Sequence, residues 1–176
     1  MLRYGLHILL ALAGLLLQTT LLSQIWGDSF KPDLAFLVVI YLGLHRPMSE
    51  ATPAVVVIAY LADRFTALPD GTFLLLYVAL FYLASGTSKV FYFRGTGFPA
   101  LMTFALSMLY GIGLSVMVGY GKAAASSDTI LSQARIPWGF LLLFSLVNVL
   151  FSVLMFRVCR IIDRDGNIRG GQRAVL

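Results

Sequence analysis

Residues 34–44 read LAFLVVIYLGL, 11 residues without a charge, and longer apolar runs precede and follow them. Runs of this kind decide what the chain can become. Of its 176 residues 59% are hydrophobic and 12% charged, where a soluble domain carries about 25% charged residues. The mean hydropathy is +0.87. A chain so poor in charge cannot cover a water-facing sphere, and the sequence predicts an all-α integral membrane protein. The length suits six short transmembrane helices, or alternatively five, and leaves no room for a soluble domain. The net charge of +5 comes from scattered, tail-weighted basic residues. That distribution fits the excess of Lys and Arg in cytoplasmic loops and not a nucleic-acid surface. A single cysteine, Cys159, excludes an internal disulfide and a cysteine metal motif.

The first helix is expected over 4–25, retained because no small-x-small cleavage site follows it, with Trp26 as an interfacial aromatic. The second begins at Pro32, where a missing N–H costs nothing, and puts Asp33 in its first turn at the positive end of the helix dipole. Its apolar core of 11 residues spans about 16 Å, against about 30 Å of bilayer hydrocarbon. It is expected as a short span packed inside the bundle. The third opens with Thr52 as N-cap and Pro53 at the first helical position and runs to 66. The turn LPDGT precedes a fourth helix over 72–91. The fifth covers 98–120, a small polar loop follows, and the sixth covers 136–158. The whole reads as one transmembrane domain, 1–160, and a basic cytoplasmic tail, 161–176, that frays from Cys159 onward.

On six spans, Arg3, Arg46, Lys89, Arg94, Arg157, Arg160, Arg164, Arg169 and Arg173 share one side, and Lys31, Arg64, Lys122 and Arg135 the other. Nine against four places both termini in the cytoplasm. Five spans give a similar split, so charge alone leaves that alternative open.

Candidates for chemistry are few. Asp63 follows eight apolar or aromatic residues in VVVIAYLADRF, and a carboxylate in a membrane segment is a functional candidate by default. It reads equally as a helix-end residue near the headgroups or as a partner contact. Asp33 and Asp63 both fall on the outer side, in a wet zone unsuited to a proton-sharing aspartate pair. His7 and His45 lie near helix ends, Ser85 has no evident base, and no His/Asp pair has metal-ligand spacing. No phosphate loop, redox motif or other cofactor signature is present. The clearest pattern is Ser107, Gly111, Ser115 and Gly119, small residues at steps of four on the fifth helix. Such a ladder lets another helix approach closely, whether inside the bundle or from a partner.

KPDLAFLVVIYLGLHRP followed by IAYLADRFTALPDGTFLL resembles the rod shape-determining protein MreD family. The shared features are the Pro-Asp start of the second segment, Pro32 and Asp33, and a helix ending in Asp63 with Gly71 eight residues on. The chain departs from the family pattern at Ala59, where glycine is common, and at Asp70, where leucine is common. The resemblance implies a non-enzymatic subunit of the bacterial cell-wall elongation machinery in the cytoplasmic membrane. Its implied partners are MreC, a SEDS glycosyltransferase, a class B penicillin-binding protein, the MreB filament and membrane lipids, with no nucleic acid and no cofactor. The family is also similar in fold to the substrate-binding subunits of energy-coupling-factor vitamin transporters, which makes such a subunit the alternative. Gln18, Thr19, Asp63, Tyr77, Tyr82 and Asn148 would be its pocket residues. Those subunits share an alanine-x-x-x-alanine docking pattern on the first helix, and neither Ala11 nor Ala13 has an alanine four residues later.

Overall fold

The computed structural model describes residues 2–22, 32–66, 69–90, 97–126 and 138–172. Among the described residues the chain is all-helical, with six α-helices and no strand. They are α1 (Leu2–Leu17), continued by a π-helical turn (Gln18–Leu22), α2 (Leu34–His45), α3 (Met48–Arg64), α4 (Thr72–Val90), α5 (Gly97–Ser126) and α6 (Trp138–Gln172). Expectations about Trp26, and about the loop residues 127–135, fall outside the described residues.

α2 is apolar all round, and a helix with no polar stripe has to be surrounded. Residues 34–43 are all buried, and each of the other five helices packs against α2. Two close approaches grip it near its ends. A Cβ on Gly14 of α1 would come within 2.9 Å of Leu34 Cβ, and one on Gly43 within 2.8 Å of Ala84 Cβ on α4.

Side-chain contacts give the direction of every helix. At one end of the bundle, Gln18 meets Leu34 and Asp63 meets Phe73. At the other, Tyr4 meets Glu50, and Tyr41 meets Asp163. Asp33 lies level with Tyr77, Tyr110 and Asn148. The even-numbered helices therefore run one way and the odd-numbered ones the other. α5 over Gly97–Gly119 and α6 over Trp138–Arg164 are long and apolar enough to cross a membrane, and Tyr4–Thr20, Leu34–His45 and Thr72–Ser88 are shorter apolar helices.

Several boundaries differ from those expected; the α-helix of the first segment gives way to the π-helical turn at Gln18, and α3 ends at Arg64. Asp33 is the N-cap of α2 and not a first-turn residue; its backbone is extended (φ −90°, ψ 92°) and its side chain accepts from Phe36 N–H. Pro32 therefore stands one residue outside the helix. α3 starts at Met48 with Pro47 as N-cap, because Pro47 C=O already accepts from Glu50 and Ala51 N–H. Thr52 then lies inside the helix, its hydroxyl donating to Met48 C=O at 2.6 Å, and Pro53 is interior too. α5 continues through Ala123, Ala124 and Ala125, the residue type with the highest helix propensity. α6 does not fray at Cys159 but runs to Gln172. Its face remains packed there: Cys159 is fully buried, and Asp163 is bonded to α2 and to Arg46.

The small-residue ladder turns toward the bundle interior. Ser107 is fully buried and accepts from Asn148 Nδ2 of α6. A Cβ on Gly111 would overlap Leu141 Cδ2 of α6. Ser115 donates to Gly111 C=O at 2.9 Å, and Gly119 is buried. Gly111→Leu is therefore expected to destabilise the bundle by about 1–3 kcal/mol through overpacking. Leu141→Ala in the same chain should recover a large part of that loss. Unfolding by SDS titration from mild detergent measures both; no recovery in the double variant would show that the strain lies elsewhere.

Candidate functional site

The start of α2 is buried, so its backbone donors need partners within the protein. Side chains from two other helices and the cap itself supply them. Asp33 N–H donates to Asn148 Oδ1 of α6 at 3.1 Å, and Leu34 N–H donates to Gln18 Oε1 at 3.3 Å. Phe36 N–H donates to Asp33 Oδ1 at 3.0 Å. Asp33 is 4% exposed, and its carboxylate takes two further donors. Tyr77 OH of α4 reaches Oδ1 and Oδ2 at 2.8 and 2.7 Å, and Tyr110 OH of α5 reaches Oδ2 at 2.8 Å. Phe36 stacks on Tyr110 with centroids 4.6 Å apart. One acidic side chain thus ties α2, α4 and α5 together.

Asp63 does for α4 what Asp33 does for α2. It is 8% exposed, and its oxygens accept from Phe73 N–H at 2.8 Å and Leu74 N–H at 3.2 Å. It therefore caps a helix ten residues downstream. Gly71 makes this reach possible. Thr72 N–H returns to Pro69 C=O at 3.2 Å, and Gly71 holds φ +90° at the third turn position, where glycine avoids a steric penalty. The reversal brings the start of α4 back onto the end of α3. Pro32, Asp33, Asp63 and Gly71, the residues carrying the resemblance, thus lie at two helix N-termini. Asp33 and Asp63 serve separate helix starts.

At the opposite end Asp163 of α6 is the meeting point. It pairs with Arg46, accepts from Tyr41 OH at 2.6 Å and lies 3.6 Å from His7 Nε2. Burial pulls the Arg46 pKa down, but the hydrogen bond and charge of Asp163 outweigh it, and the net direction is up. The Tyr41 ring stacks between His7 and His45, with centroids 5.9 and 4.5 Å away.

Beside Asp33 the bundle forms a half-open cavity of about 310 Å³. Gln18, Thr19 and Tyr77, expected as pocket residues, line it; Asp63 and Tyr82 are not among its described lining residues, and Asn148 stands behind Asp33. Asp33, Tyr110 and Ser115 line it as well. Tyr110 sits inside an apolar run, and its position one helical turn after Ser107 is the available signal. Asp163 was missed because it reads as one of several tail charges. Among the described residues no group of three His, Cys, Asp or Glu is placed to hold a metal ion.

No family model, curated protein or solved structure matches the chain.

Tyr77→Phe and Tyr110→Phe are each expected to cost about 1.5–3 kcal/mol, as hydrogen bonds to a charged group. Because both act on Asp33, the double variant should depart from the sum by at least about 0.5 kcal/mol. Strict additivity in unfolding titrations would refute a shared network. Asp63→Ala should cost about 0.5–2 kcal/mol as a lost cap and speed hydrogen exchange at Phe73 and Leu74, with Asp63→Asn in between. Unchanged exchange at those two amides would remove Asp63 from the capping role.

Proposed function

We propose that this chain is a multi-pass membrane subunit that works by holding other membrane proteins, in the manner the resemblance to the MreD family implies. In this reading α5 and α6 are full spans and the shorter helices are held among them. Both termini face the cytoplasm, so that Arg46 and Asp163 lie at the inner end and Asp33 and Asp63 at the outer end. The bundle is the six-helix type expected of that family, in a bacterial cytoplasmic membrane. Its proposed partners are MreC and, through it, the glycosyltransferase, the penicillin-binding protein and MreB.

One observation carries a non-enzymatic role. The two acidic residues of the family-like motif are engaged in helix capping, with Phe36, Tyr77 and Tyr110 on Asp33 and two backbone N–H groups on Asp63. Their chemistry builds the bundle and does not act on a substrate. The outer faces of α5 and α6 carry exposed large apolar residues, among them Leu101, Leu109, Leu146 and Leu150, which suit lipid or a partner helix.

A substrate-binding subunit of an energy-coupling-factor transporter is the second reading, favoured by the cavity beside Asp33. Crosslinking in membranes followed by co-purification separates the two. Recovery of cell-wall synthases and MreC is the expected result. Recovery of a pair of ATPases in their place would overturn the scaffold reading in favour of the transporter.

A further inference from the structure

The outward side of α6 changes character along its length. Leu143, Leu146, Leu150, Val153 and Leu154 are exposed, and so, further on, are Arg157, Arg160 and Arg164. At 3.6 residues per turn these positions fall within an arc of about 120°. The buried Asn148, Ser152 and Cys159 lie on the opposite side of the helix. One face therefore runs without a break from apolar to basic. Trp138 is exposed at the start of α6, and from there to Arg157 the helix rises about 28 Å, close to the hydrocarbon thickness of a bilayer. With α6 as a span, Arg157 stands at the edge of the hydrocarbon. Arg160 and Arg164 follow about 4.5 and 10.5 Å beyond it, at headgroup depth.

The charge on this face has no counterpart in the bundle. None of the three arginines forms an ion pair among the described residues. Asp163, in the same turns of the helix, is engaged by Arg46 and Tyr41 of α2 and its cap, and Glu50 accepts from Tyr4. Arg157 and Arg160 are three residues apart and Arg160 and Arg164 four, spacings at which like charges repel on a helix surface. A bound anion relieves that repulsion. An anion that carries its own acyl chains also covers the leucines beside the arginines. One leaflet of hydrocarbon is about 15 Å thick, and that distance back from Arg157 reaches about the level of Leu146.

We propose that this face of α6 binds an anionic phospholipid. The phosphate sits on Arg157 and Arg160, whose guanidinium groups match phosphate oxygens in pairs, and an acyl chain lies along Leu150, Val153 and Leu154. Arg164 meets the outer part of the headgroup. A zwitterionic lipid offers the same phosphate but brings an ammonium into this basic face, so a headgroup of net negative charge is selected. The inference rests on α6 being a membrane span, as in the reading above, and not on the scaffold role or its partners.

Brominated lipids, which quench tryptophan fluorescence on close contact, test this in the full-length chain. Trp26→Phe and Trp138→Phe remove the native signals. In that background Leu154→Trp reports on lipid one turn inward of Arg157, and Leu143→Trp reports on the same face in the opposite leaflet. Each variant is reconstituted in mixed bilayers of phosphatidylcholine and phosphatidylglycerol with one or the other brominated. In Leu154→Trp, phosphatidylglycerol is expected to bind at least about fivefold more strongly than phosphatidylcholine, the scale of one arginine near a charged membrane surface. In Leu143→Trp the two should bind equally. Adding Arg157→Gln and Arg160→Gln to Leu154→Trp should abolish the preference while the helical spectrum stays unchanged; if the pair fails to fold, either single substitution should weaken it. Equal binding of the two lipids in Leu154→Trp overturns the proposal, as does the same preference in Leu143→Trp or a preference that survives the folded arginine variant. Quenching in Leu143→Trp but not in Leu154→Trp also overturns it, and gives the basic end of the face to a protein partner. Quenching in neither variant overturns the membrane span itself, and the lipid site with it.

Discussion

The Asp33 carboxylate is the interaction on which the remaining architecture depends. A helix that begins inside a protein brings several N–H groups into a place without water, and each unpaired one costs about 1–3 kcal/mol. Asp33 answers part of that demand itself through Phe36 N–H, and Asn148 and Gln18 answer more from α6 and α1. A carboxylate placed there would in turn be a buried charge, and the hydroxyls of Tyr77 and Tyr110 satisfy it. Five helices are therefore drawn to one point by the needs of a single buried helix start.

The same logic recurs at other places in the chain. Asp63 satisfies the start of α4 from the end of α3, and the glycine turn at Gly71 sets the distance. Asp163 holds the far end of α2 through Tyr41 and Arg46, while Arg46 N–H closes the helix on Leu42 C=O at 3.0 Å. All three acids join separate helices. In a chain with so few charges, each acid placed inward acts as a connector because apolar packing alone is non-directional, whereas a carboxylate has a fixed set of donors to collect.

Much of the bundle was legible in the sequence, and the reason is periodicity and composition. Six apolar segments separated by turn residues predict six helices, and α2 reads as a short span packed inside the bundle because its apolar run is too short for a bilayer. The candidate site was legible only in pieces. Asp33 and Asp63 stood out as acids beside apolar runs, and Gln18, Tyr77 and Asn148 as polar residues within them. What joins them is long-range: Tyr77 and Tyr110 lie 44 and 77 residues from Asp33, and no local pattern encodes that pairing. Thr52 and Pro53 misled because they form a plausible helix start by residue type, while the actual start was decided five residues earlier by Pro47 C=O. The tail misled for the opposite reason, since its charges read as solvated although Asp163 faces inward.

The shortness of α2 follows from how its ends are handled. At 12 residues it is about 18 Å long, well short of a bilayer's hydrocarbon, and a lone helix of that length would leave both ends in lipid. Backbone groups at membrane depth are tolerated where protein surrounds them. The polar side chains at the two ends of α2 provide that surrounding: Gln18, Asp33 and Asn148 at one, His45, Arg46 and Asp163 at the other, where His45 Nδ1 lies 3.2 Å from Tyr41 C=O. Inside such a sleeve a helix needs to match only its neighbours. The cavity beside Asp33 follows from the same arrangement. At the start of α2, the ends of α1 and α3, the starts of α4 and α6 and the middle of α5 line a space that has the cap of α2 as part of its wall.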